Sequence, residues 1–240
     1  MLNRNSRIKE NLLKSINEYS NELNHLSFKK MIEEELSEVS KNDEKFKILT
    51  SIYEDKIAIE QLDHLYSNLE NIDSNKAKKI LTNGIISTLE KSIEFPKSYE
   101  LNILLLEHDF EPQFCLCGFD DRNFCEQILD GNNYLEFDDT KDLFNGIGEI
   151  DFSECLKPLI EIEKYLGFKK ISCLESTSID EILTLINEVY HLNTYKILNE
   201  LFEERGKEIL NQKKLNLKNK IHIYVNEHEM EERNIYIVQN

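Results

Sequence analysis

The feature that most constrains the fold is a change in the spacing of apolar residues at Pro96. From Ser6 to about Ile93 the apolar residues recur every three or four positions, which predicts amphipathic α-helices. Beyond Pro96 the segments 101–106 and 113–118 alternate instead, which predicts two β-strands joined by a turn. Proline also disfavours helix at the residue before it, so the helical part should end there.

Side chains that cap helices divide the first part of the chain into four helices. Asp43 is placed to cap a long third helix that reaches Leu69, and Ser74 to cap the fourth. The connections between these helices are only a few residues long. Short connections are typical of an antiparallel helical array.

The later part of the chain predicts a sheet with helices packed on it. Segment 101–106 is apolar on both faces in its second half, so it should be a central strand that pairs antiparallel with 113–118. Segments 221–225 and 235–237 predict a C-terminal hairpin. The fold class is therefore α+β, with an N-terminal helical array followed by a mostly antiparallel sheet packed with helices.

Other segments give weaker patterns. Residues 132–151 should be the least regular part of the chain, and 168–174 a short apolar link. Ser178 opens a capping-box pattern for a helix that runs toward Leu210, with a break at 191–194.

The length of 240 residues allows either one or two domains. The change at Pro96 suggests a helical region over 1–95, packed on the rest, and an α+β domain over 96–240. A single domain that includes the helices is the alternative.

Composition argues against several classes of function. No apolar run approaches the ~20 residues of a membrane span, and the N-terminal residues predict no secretory signal. The five cysteines lie in apolar surroundings, which suits reduced thiols in the cytoplasm. With a pI near 4.8, nucleic acid would be repelled from most of the surface.

The negative charge is concentrated in one segment. Residues 98–156 hold 15 Asp and Glu against two basic residues, a net charge of −13, whereas the whole chain carries −17. A local imbalance of this kind predicts an acidic surface that faces a basic partner. A solvated surface without a partner is the alternative.

We expect the partner-binding residues to be acids of this segment, with nearby aromatic side chains as anchors, because buried aromatics commonly dominate binding energy. The acids are Asp109, Glu111, Asp120, Asp121, Asp138, Asp139 and Asp142, and the aromatics are Phe119, Phe124 and Tyr134.

The sequence predicts no catalytic residue, no metal site and no cofactor. Cys115, Cys117 and Cys125, with His108 nearby, are of the types that bind zinc, but their spacing does not match structural zinc motifs. Because cysteine is often buried, we interpret them as core residues and expect no bound zinc. Nucleotide-binding and calcium-binding motifs are also absent from the sequence.

In its strand pair 101–118 and its acidic loops the chain resembles the acidic immunity proteins that bacteria encode beside polymorphic toxins. The resemblance implies a cytoplasmic protein that binds and blocks a toxin, often a basic nuclease. Two alternatives remain. One is an enzyme whose site forms near His108, Cys115 and the pair Asp138 and Asp139, and the other is an adaptor that uses the N-terminal helices.

Overall fold

A computed structural model describes residues 4–23, 26–65, 67–91, 100–108, 111–121, 140–211, 215–227 and 233–239 of the chain. The helices are α1 (Arg4–Leu23), α2 (Phe28–Glu38), α3 (Glu44–Tyr53), α4 (Lys56–Asp63), α5 (Ser74–Lys91), α6 (Lys157–Leu166), α7 (Phe168–Glu175) and α8 (Asp180–Leu210), with a 3-10 turn at Ser67–Asn71. The strands are β1 (Leu101–His108), β2 (Gln113–Asp121), β3 (Thr140–Asp151), β4 (Leu217–Glu227) and β5 (Arg233–Gln239).

The five strands form one mixed sheet in the order β3-β2-β1-β4-β5. All neighbouring pairs are antiparallel except β1 and β4, which run parallel. The predicted antiparallel pairing of 101–106 with 113–118 is confirmed, as are the central position of the first strand and the C-terminal hairpin. The α+β class with helices packed on the sheet is confirmed as well.

The helix boundaries follow local hydrogen bonding. Asp43 caps α3 as predicted, since its carboxylate accepts a hydrogen bond of 2.9 Å from the Lys45 amide. The prediction of one long third helix was wrong, because Asp55 accepts hydrogen bonds from the amides of Ile57 and Ala58 and so begins α4. A second capping residue within a periodic pattern therefore divides the helix.

Three further predictions were wrong. Residues 140–151 form β3 rather than an irregular segment, and 168–175 form the helix α7 rather than a link. Cys173 and Leu174 of α7 are buried, and packing on α3 and α6 stabilises a helix too short to reveal its period. The break at 191–194 is absent because Leu192 and Thr194 are buried within a continuous α8.

The chain forms two compact units that are interleaved along the sequence, whereas the sequence suggested a division after residue 95. The first unit comprises residues 1–14, 73–154 and 194–240, and the second comprises 15–72 and 155–193. The sheet belongs wholly to the first unit.

In the first unit, helix α5 packs closely on β3. A Cβ atom on Gly84 of α5 would lie 2.7 Å from Cγ2 of Ile150, which is closer than side chains approach. Gly148 of β3 has a positive φ of 76°, and a Cβ atom there would likewise overlap the side chain of Thr88. These two glycines allow the helix and the strand to approach each other.

The outer edge of β5 is covered by a side chain of α1. Asn5 donates from Nδ2 to the Ile237 carbonyl at 3.0 Å and accepts from the Ile237 amide at 2.9 Å. Asn199 of α8 donates to the Ile235 carbonyl at 2.5 Å. The side-chain amides of these two asparagines thus satisfy backbone groups of β5 that would otherwise be open to another strand.

The second unit is built from helices around an apolar core that includes Ile32, Leu49 and Ile52. Polar contacts support this packing, for example the hydrogen bond of 2.6 Å from the Tyr190 hydroxyl of α8 to the Leu65 carbonyl in the turn after α4. Burial raises the pKa of Tyr190.

Candidate functional site

The structure describes only part of the predicted partner-binding set. Asp109, Phe124, Tyr134, Asp138 and Asp139 lie outside the described residues, as does the side chain of Asp121. Cys125 is outside them too. The partner-binding role of these residues stays a prediction.

The predicted acids Glu111 and Asp142 are exposed. Glu149 and Asp151 are also exposed, and three of the four lie on β3 while Glu111 lies just before β2. We call these four residues the acidic edge, because β3 is the outermost strand next to β2.

The carboxylates of the acidic edge differ from many acids elsewhere in the chain. Among the described residues none of the four forms an ion pair, although Asp151 accepts a hydrogen bond from the Ser153 amide. By contrast, Lys78 pairs with both Glu200 and Glu204, and Lys76 with Glu154. The acidic edge therefore presents negative charge that the described part of the chain does not neutralise.

Two predicted binding residues are buried instead. Phe119 is 6% exposed and packs with Ile103, Leu105, Cys117 and Tyr224 on one face of the sheet. The side chain of Asp120 is 4% exposed. Its Oδ1 lies 2.8 Å from Nζ of Lys218, and its Oδ2 accepts a hydrogen bond from the Glu100 amide at 3.3 Å.

The burial of Phe119 and Asp120 has a simple cause. The strand β2 continues to Asp121, three residues beyond the predicted end at residue 118. Both residues thus belong to an inner strand, between β1 and β3, and their side chains are buried on its opposite faces, so neither is exposed to a partner.

A second candidate site lies on the face of the sheet that carries Phe119. Glu107 of β1 is directly opposite Cys115 in the antiparallel pair, and Cys117 follows Cys115 on the same face of β2. The carboxylate and the two sulfur atoms lie within 4.8 Å of one another. We call these three residues the thiol-carboxylate cluster.

Strand β3 adds two polar groups to this cluster. The pairing of β3 with β2 shifts register at three places, so β3 bulges where it passes Cys117. The Gly146 amide donates a hydrogen bond to Cys117 Sγ at 3.2 Å, and Asn145 Oδ1 lies 3.0 Å from the same sulfur. Gly146 has a positive φ of 60°, a backbone conformation that glycine adopts readily because it has no Cβ atom.

The two thiols of the cluster differ in acidity. A hydrogen bond from the Cys117 thiol lowers the pKa of Cys115. The same contact, together with burial, raises the pKa of Cys117. The half-buried Cys115 is therefore the sulfur that ionises first.

The alternative enzyme site is not assembled around His108 and Cys115. His108 is buried on the opposite face of the sheet, because it pairs with Phe114, and successive residues of a strand point to opposite faces. Its Nε2 lies 2.9 Å from the Tyr195 hydroxyl, and its ring packs edge-on against Phe114 and Phe152. This arrangement is that of a core histidine.

Three of the four described cysteines, Cys117, Cys155 and Cys173, are buried, whereas Cys115 is half-buried, and the described residues contain no disulfide between them. Sequence reasoning missed Glu107 and Asn145. Alternation along the two strands could have placed Glu107 on the same face of the sheet as Cys115. That inference also needs the register in which β1 pairs with β2, which the sequence does not give. Nothing local in the sequence marks Asn145, because its position depends on a bulge.

Comparison of the chain with protein-family models, with curated proteins and with solved structures finds no match. Within the described ranges, no helix is both long enough and apolar enough to cross a membrane.

Proposed function

We propose that this chain is an acidic cytoplasmic binding protein that neutralises a basic protein partner. The observation that carries the proposal is the acidic edge, where Glu111, Asp142, Glu149 and Asp151 are exposed and without an ion pair to another described residue. Complementary charge accelerates association with a basic partner and disfavours acidic ones, nucleic acid included.

The specific form of the proposal is an immunity protein that blocks a bacterial toxin. Its support is the resemblance in build, with a strand pair and acidic loops, together with the concentration of −13 of the −17 charges in residues 98–156. An inhibitor of a toxin benefits from fast association, and electrostatic steering raises association rates by roughly 10 to 10³.

The shape of β3 favours side-chain recognition over addition of a partner strand. Three register shifts interrupt its regular pairing geometry, and charges and bulges at an edge discourage strand-to-strand association. The binding role and this protective role make different predictions about charge. Protection of the edge against strand-to-strand association requires only some charge there. Electrostatic steering of a basic partner depends instead on the sum of the charges at the edge.

The test compares two variants that change the charge equally. In the edge variant, the four acids of the acidic edge are replaced by Asn or Gln. In the control variant, four exposed acids of the second unit are replaced by Gln, namely Glu33, Glu38, Glu54 and Glu60. Tagged proteins capture partners from a lysate of the encoding organism at low salt and at high salt.

The captured protein is identified by mass spectrometry, and its association rate is measured over a range of ionic strength. We expect a basic partner that binds the wild type and the control alike, and that binds the edge variant at least about tenfold more slowly in low salt. Co-expression should relieve any growth inhibition that the partner causes. Equal rates for the edge variant and the control would refute the proposed role of the acidic edge.

A helical adaptor is the second candidate, favoured by exposed apolar side chains in the second unit. Phe168 is 86% exposed, Ile57 55% and Tyr165 45%. The Tyr165 hydroxyl is 3.2 Å from the Asp55 carboxylate that caps α4, which places Tyr165 near Ile57. Retention of partners by the edge variant, together with their loss on Phe168→Ser, would favour the adaptor.

A further inference from the structure

The thiol-carboxylate cluster has the composition of a transition-metal site. Cys115 and Cys117 supply two sulfur ligands, and Glu107 supplies carboxylate oxygen. Zinc is bound in proteins by thiolate sulfur, imidazole nitrogen and carboxylate oxygen. Two thiolates select against magnesium and calcium, which prefer oxygen ligands alone.

The distances fit one ion bound by all three residues. Oε2 of Glu107 lies 3.9 Å from Cys115 Sγ and 4.0 Å from Cys117 Sγ. In a tetrahedral zinc site, bond lengths near 2.3 Å to sulfur and 2.1 Å to oxygen separate these ligand atoms by roughly 3.6 Å. Shortening both distances by a few tenths of an ångström, within the reach of side-chain torsions, would give this sulfur-to-oxygen separation, and the two sulfur atoms lie within 4.8 Å of each other.

The backbone holds the ligands in place. Cys115 and Cys117 are two residues apart on one strand, and Glu107 is the direct cross-strand neighbour of Cys115, so the sheet fixes all three Cα positions. The amide of Gly146 donates to Cys117 Sγ, and hydrogen bonds of this kind commonly orient the ligands of a bound metal. A rigid element with such support is what a metal site requires.

The position of the cluster allows an ion to enter. Glu107 and Cys115 are half-buried, whereas Cys117 is 2% exposed at the margin of the apolar group that includes Leu105 and Phe119. Asn145, an exposed residue, has its amide oxygen 3.0 Å from Cys117 Sγ, so this oxygen or water would supply the fourth ligand of a tetrahedral ion.

We propose that Glu107, Cys115 and Cys117 bind one zinc-class divalent transition-metal ion per chain. This proposal replaces the sequence-based expectation of a zinc-free protein, because that expectation considered the cysteine spacing without Glu107. It does not depend on the proposed function, since the acidic edge contributes no ligand.

The test uses the full chain, reduced, treated with a chelator and then titrated with Co²⁺ under anaerobic conditions. We expect a thiolate-to-cobalt charge-transfer band that saturates at one equivalent and is displaced by one equivalent of Zn²⁺. Elemental analysis after dialysis against Zn²⁺ should give one zinc per chain. No charge-transfer band, or no retained zinc, would overturn the proposal without any variant.

Variants then assign the ligands. Cys115→Ser and Glu107→Gln alter half-buried side chains, and each should weaken Co²⁺ binding at least about tenfold, with Cys115→Ser also halving the charge-transfer intensity. Cys173→Ser is the matched control, because it removes one thiol from the other unit, and it should bind as the wild type does. Circular dichroism of each apo variant confirms folding. If both ligand variants bind like the control, the site is not this cluster.

Discussion

The buried ion pair of Asp120 gives the sharpest prediction about stability. Nζ of Lys218 lies 2.8 Å from Asp120 Oδ1, with the two side chains 27% and 4% exposed. Because β1 separates β2 from β4, the pair connects two strands that are not neighbours in the sheet. Replacement by Asn keeps an acceptor for the Glu100 amide but removes the charge that faces the ammonium group.

The expected loss lies between two limits. Breaking a fully buried pair costs about 3–5 kcal/mol, whereas an exposed pair contributes about 1 kcal/mol or less. Since Lys218 is partly exposed, we expect Asp120→Asn to lower the free energy of unfolding by about 2 kcal/mol. In a chain of this length that corresponds to a fall in Tm of about 4–8 °C.

Chemical denaturation followed by circular dichroism measures this loss, with Asp142→Asn as the control. Asp142 is exposed, so its replacement should change the free energy by no more than about 0.5 kcal/mol. The double variant Asp120→Asn with Lys218→Met should recover part of the loss, because no charge is then left facing a neutral amide. If Asp120→Asn is as mild as Asp142→Asn, the pair does not stabilise the sheet.

Three further predictions concern other contacts. Hydrogen bonds from Ser178 lower the pKa of Glu35, so the stability that Glu35 contributes is complete above pH about 4.5 and is lost as the pH falls through the lowered value. Glu35→Gln should therefore destabilise by about 1 kcal/mol at pH 7, with the difference from wild type shrinking in acid-denaturation series. Gly84→Ala should destabilise by about 1 kcal/mol despite the helix propensity of alanine, because the new methyl group would overlap Ile150, and a rise in Tm would contradict that packing. Asn5→Ala should cost about 1 kcal/mol and speed hydrogen exchange at the edge of β5, where unchanged exchange would show that the amide bridge is unimportant.

Much of the secondary structure could be predicted because its causes are local. The spacing of apolar residues predicts the helices of the N-terminal part, and the Asp43 cap needs only its own turn. The two strand pairs follow from alternation and intervening turns. Regions 140–151 and 168–175 could not be predicted in this way, because the bulges of β3 and the burial of Cys173 in α7 depend on distant elements.

The candidate sites depended on tertiary structure to a greater degree. The sequence by itself determined the excess of acid in residues 98–156, since charge is a sum over residues and needs no coordinates. Which acids face solvent was decided by the fold: Asp142 is exposed on an outer strand, whereas Asp120 is buried against Lys218 from a strand almost 100 residues later. In the same way, the cysteines are visible in the sequence, but only the register of β1 with β2 places Glu107 beside them, because the pairing of two strands fixes contacts that neither strand specifies alone.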